Sequence, residues 1–94
     1  MIKVIVEEDG KKIREVEGRL CAVMMDIDDD QCAVLISGHC TLAGRTEMLV
    51  NGVATIFNQF HSDLPGFMRK MLASTFVKAL KVKIDEDSEK EERP

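Results

Sequence analysis

Ninety-four residues, 45% of them hydrophobic and 32% charged, exclude a fibrous or disordered chain and allow one domain with a modest core. A net charge of −4 with no Trp and no Tyr argues against a nucleic-acid platform, and no apolar run approaches the roughly 18 residues of a membrane span. With no charged-then-apolar leader and an odd number of cysteines, three, a cytoplasmic protein with reduced thiols is expected.

Taken in chain order, IKVIVEE alternates Ile2, Val4 and Val6, and Asp9-Gly10 then meets KKIREVE. Asp-Gly between two strand-like runs is a strong hairpin signal, so strands are predicted near 2 to 8 and 11 to 17. RLCAVMMDI and QCAVLIS flank the acidic turn Asp28 to Asp30, which predicts strands near 19 to 26 and 31 to 37. Four strands in succession suggest an antiparallel meander. In that second hairpin Cys32 falls near Met25 or Asp26 and Cys21 near Ile36 or Ser37. The two thiols are then too far apart along the ladder for a disulfide, whose Cα atoms stand within about 7 Å.

After Thr41 the period changes. Leu42, Leu49, Val53, Ile56, Phe57 and Phe60 fall on one side of a helix, and HSDLPG with its Pro65 ends it. A second helix is predicted from about 65 to 82, with Met68, Met71, Leu72, Thr75, Phe76 and Ala79 on its apolar face and Lys70, Lys78 and Lys81 on another. Sheet first and helices afterward predicts an α+β domain over residues 1 to 84: a four-stranded meander with two helices packed on one face. Residues 85 to 94, DEDSEKEERP, contain no apolar side chain and form an acidic tail, solvated unless the helix runs on into it or a neighbour holds it. Charge is uneven: residues 1 to 41 carry −4, residues 42 to 84 carry +4 and residues 85 to 94 carry −4. An anionic partner would therefore be sought at the basic middle.

The second hairpin breaks the rule that one sheet face is wet. Cys32, Val34 and Ile36 on one side and Ala33 and Leu35 on the other are all apolar, as are Leu20, Ala22 and Met24 against Cys21, Val23 and Met25. Two helices cover one face, so the other is expected to meet a second copy of the chain.

Several chemistries compete for LISGHCTLAGRTEML. A zinc site would recruit Cys21, Cys32, His39, Cys40 and His61, but no two of these form the close pair that structural zinc sites use. Cys40 as a nucleophile would sit near a helix start, yet its neighbour His39 points elsewhere, and His61 lies beyond a helix about 28 Å long. DIDDDQ opens like an EF-hand loop, but its sixth position is Gln31 rather than glycine and its twelfth is Ser37 rather than glutamate. Arg69, Lys70, Lys78, Lys81 and Lys83 would be the basic face of a nucleic-acid binder, with all four Phe in the helical half and no stacking platform. Neither a metal nor a cofactor is expected. What remains is an anion pocket: Thr41 as N-cap, free amides after it, and Gly44 and Arg45 where acids normally stand. The plainer alternative is that Arg45 pairs with an acid across an interface while Gly44 eases packing.

In size and layout, a strand-rich half headed by MIKVIVEEDGKK and followed by two helices, the chain looks like short proteins encoded by bacteriophages and mobile elements of bacteria. Some of those counter host defence by sequestering nucleotide second messengers in oligomer pockets or by blocking a defence protein. The resemblance covers residues 1 to 84 and carries no site residue with it. It implies a non-enzymatic, oligomeric binding protein of the host cytoplasm that takes an anionic, nucleotide-like ligand. The residues themselves, not the resemblance, would place that ligand on His39, Thr41, Arg45, Arg69 and Lys70. An inhibitor or adaptor of a host protein and a cysteine-dependent enzyme centred on Cys40 are the alternatives.

Overall fold

A computed structural model describes residues 1–92 of the chain, in two units, Met1–Glu47 and Met48 onward. The class is α+β: strands β1 (Ile2–Glu8), β2 (Lys11–Gly18), β3 (Leu20–Asp28) and β4 (Gln31–Gly38), all paired antiparallel, then helices α1 (Leu42–Phe60) and α2 (Gly66–Glu92). No helix among the described residues is long and apolar enough to cross a membrane.

The first unit contains two hairpins. Asp9 and Gly10 both take positive φ, 52° and 82°, as a two-residue hairpin turn with the right twist requires. A bulge at Ile13, between the pairs Val6↔Arg14 and Glu7↔Lys12, turns Lys12 to the same face as Glu15. Lys3, Lys12, Glu15 and Glu17 form a ladder of ion pairs on that face, with N–O distances of 3.5 to 3.8 Å. The opposite face carries Ile2, Val4, Val6 and Val16, with Arg14 opposite Val6 and the Glu8–Lys11 pair at the turn end, so β1–β2 has one charged side and one mainly apolar side.

β3–β4 is held by Val23↔Leu35, Met24↔Val34 and Met25↔Ala33, with a second bulge at Ile27. Its turn is closed by the Asp30 N–H donating to Asp28 Oδ1 at 3.2 Å, so these aspartates do turn chemistry. Cys21 pairs with Ser37 and Cys32 with Asp26, which sets the two thiols on opposite faces, and all three cysteines are free.

β2 and β3 do not pair, so the four strands form two two-stranded sheets rather than one meander. Only Arg19 lies between them, and a hairpin needs at least a two-residue turn to reverse the chain. The strand bends at Arg19 instead and carries on, pairing with β1 before the bend and with β4 after it. The first residue of β1 and the last of β4 meet there. Gly38 has a φ of 90°, and a β-carbon on it would collide with the Arg19 carbonyl and the Ile2 side chain. The His39 N–H donates to that carbonyl at 3.2 Å.

In the second unit the Phe57 ring of α1 lies 5.5 Å from the Phe76 ring of α2. α2 does not stop near residue 82. It runs through the acidic stretch to Glu92, because Lys81–Asp85 (2.9 Å) and Lys83–Asp87 (3.3 Å) bridge one helical turn and no Gly or Pro intervenes; residues 93 and 94 lie outside the described part. None of the described residues is buried in either unit.

Candidate functional site

The site is built where β4 hands over to α1. Thr41 is the N-cap: its Oγ1 accepts from the Gly44 N–H at 3.1 Å, and its carbonyl accepts from the Arg45 N–H at 3.0 Å. Gly44 is the third helical residue, and the space above it is filled from outside the helix. A β-carbon there would stand 3.0 Å from Cys40 Sγ, 3.2 Å from Thr41 Oγ1 and 3.4 Å from Arg19 Nη2. Arg19 thus reaches over from the bend between the hairpins and lays its guanidinium against the first turn of α1.

Two cations, Arg19 and Arg45, accordingly gather at the positive end of a helix whose first turn holds no acid. Among the described residues neither has a carboxylate within ion-pair range. Like charge at a helix N-terminus is unfavourable by about 0.3–1 kcal/mol per group, so this corner favours an incoming anion. His39 stands beside it and is exposed, its backbone N–H tied to Arg19. Of the residues singled out by sequence, His39, Thr41 and Arg45 are together. Arg69 and Lys70 belong to the first turn of α2 in the other unit. There the Nε of Arg69 is enclosed without an acceptor among the described residues.

Sequence reasoning missed Arg19. Its signal was faint: one arginine between two strand runs, whose reach to Gly44 depends on the left-handed turn at Gly38 folding the end of β4 back against it.

Cys40 is held rather than activated. Its thiol donates to the Thr41 carbonyl at 3.5 Å, and no base among the described residues is hydrogen-bonded to it. His61 closes the far end of α1, where its backbone N–H and its Nδ1 both meet the Phe57 carbonyl, at 3.2 and 2.8 Å. Among the described residues no three His, Cys, Asp or Glu side chains gather as metal ligands. The second unit adds an open apolar groove of about 330 Å³ lined by Leu64, Met68, Met71, Leu72 and Thr75.

The chain is thus an α+β protein with an uncompensated cationic corner and unshielded apolar strands. No protein-family model, curated protein or solved structure matches it.

Proposed function

We propose that the chain is a non-enzymatic binding protein that works as a homo-oligomer. The observation that carries this reading is the second hairpin: Met24 and Ile36 on one face and Met25 and Leu35 on the other are each at least 60% exposed. A two-stranded hairpin is marginal in water by itself, and fully burying one such side chain is worth roughly 1.5–3 kcal/mol. Two helices have the area for one face, so the other needs a neighbour, and a second copy is always present at the right ratio. Sedimentation equilibrium at micromolar concentration tests it. A mass of two or more times 10.5 kDa is expected; a single-chain mass overturns the reading.

One further observation supports an anion at the start of α1: the guanidinium of Arg19 lies against Gly44, the residue before Arg45, over a capped helix end with no acid of its own. A nucleotide-like ligand fits that chemistry. In a thermal-shift panel of mono-, di- and cyclic nucleotides, one compound present at a hundred times its Kd adds about 2.7 kcal/mol of stability. Arg45→Ala should abolish the shift, and a panel without response removes the free nucleotide from this reading. Recovery of one host protein in stoichiometric amount would favour the adaptor alternative, and a Cys40→Ser chain that keeps all binding would dismiss the thiol.

A further inference from the structure

Edge strands are normally defended, and three of the four here are. β1 carries Lys3, Glu7 and Glu8, β2 has a bulge and five charged residues, and β3 has its bulge at Ile27 with Asp26 and Asp28 beside it. β4 has none of these devices. QCAVLISG contains no charge, no proline and no bulge, all eight residues are exposed, and its outer edge pairs with no strand among the described residues. A strand left this way in a chain that is 32% charged is a template for another strand.

The two ends of β4 are oppositely charged. At its start lies the turn Asp28-Asp29-Asp30, whose carboxylates have no ion-pair partner among the described residues. At its end lies the corner made by Arg19 and Arg45 on the positive end of α1. A strand flanked by acid at one end and base at the other complements itself when it is reversed. Parallel pairing would stack aspartate on aspartate; antiparallel pairing sets each acidic turn beside the other copy's cationic corner.

Resting on the homo-oligomer reading, we infer that two copies join edge to edge through β4, antiparallel about a two-fold axis near Val34 and Leu35. The four-stranded sheet that results runs β3-β4-β4-β3. The aspartate turn of the second copy then takes the place at the start of α1 that a nucleotide-like ligand would otherwise occupy. An axis perpendicular to the sheet keeps each face continuous across the join, because directly opposed residues of an antiparallel pair point to the same side. The apolar faces of β3–β4 are doubled in area for whatever next covers them.

A charge-reversal mixture tests this. One variant carries Asp29→Lys and Asp30→Lys, leaving Asp28 to close the turn. The other carries Arg19→Glu and Arg45→Glu, which place acid at a helix N-terminus and so favour the fold of the single chain. Each variant alone opposes like charges at both ends of the join and should associate at least about tenfold more weakly than the unaltered protein. Mixed one to one, they match at both ends and should assemble as a heterodimer of near-original affinity. Independently, in a chain with Cys21, Cys32 and Cys40 replaced by serine, Val34→Cys or Leu35→Cys should form a disulfide between copies. Spin labels on Asp29→Cys in that background should stand about 34 Å apart, five residues of strand on each side of the axis.

If both variants assemble alone as well as the unaltered protein, or the labels lie within about 10 Å as parallel strands require, the β4 join is wrong and the homo-oligomer reading stands. A single-chain mass for the unaltered protein removes both.

Discussion

The two hairpins of the first unit share a plan. Each is antiparallel, turns on two residues and carries one bulge, yet β1–β2 is built for water on one side and β3–β4 on neither. The difference lies in alternation. Lys3, Glu15 and Glu17 occupy every second position of the first hairpin and can pair across it, whereas from Leu20 to Met25 and from Cys32 to Ile36 the second offers no charged residue at all. A sheet polar on one face is complete once its other face is covered. One apolar on both faces is half of something, and in the homo-oligomer proposed above β1–β2 would lie to the outside and β3–β4 at the middle.

The largest expected effect comes from breaking the place where the hairpins meet. Gly38→Ala puts a side chain on a residue with a φ of 90°, against the Arg19 carbonyl, which cannot swing away as a flexible side chain would. A loss of about 3 kcal/mol or more is expected, together with loss of the His39 to Arg19 hydrogen bond and of the Arg19 reach to Gly44. Urea unfolding would measure it, at a fixed chain concentration so that assembly does not confuse the result. Gly38→Ala within 1 kcal/mol of the unaltered protein would mean that the bend is not fixed by this glycine.

Lysine scanning sharpens the same contrast. Leu35→Lys and Ile36→Lys lie on opposite faces of β4, and each should weaken assembly by about 2 kcal/mol or more, since a buried apolar group is replaced by a charge. Ile5→Lys falls on the charged face of β1–β2, directly opposite Glu15, and should change stability by no more than about 0.5 kcal/mol. If only one of Leu35 and Ile36 is sensitive, β3–β4 has a wet face and the two hairpins are alike after all.

The fold was legible where local chemistry decides it. Asp9-Gly10 announced its turn, Thr41 its cap and HSDLPG the end of α1, because each acts within four residues of chain. The pairing of hairpins was less legible. Gly18-Arg19-Leu20 reads as another strand junction, and that it bends without turning follows from where β1 and β4 pair, tens of residues away. α2 outran its apolar pattern because acidic residues spaced four from lysines propagate a helix with no apolar face to mark it. The corner at the start of α1 was half visible: Thr41 and Arg45 by position, Arg19 only once Gly38 had turned the chain.

The smallest expected effect probes the face assigned to water. Lys3 pairs with Glu15 and Glu17 at 3.5 and 3.8 Å while its side chain stays 51% exposed. Exposed pairs of this kind contribute about 0.2–1 kcal/mol and fade with salt, as charges lose sight of one another beyond a Debye length of about 8–10 Å. Lys3→Ala should therefore lower stability by less than about 1 kcal/mol at low salt and by little at molar salt. The salt dependence carries the meaning. If this face were covered in the assembly, the two glutamates would be left dry and uncompensated, and the loss would rise to several kcal/mol and resist salt. A small, salt-sensitive loss at Lys3 alongside a large loss at both Leu35 and Ile36 separates an outer hairpin from an inner one.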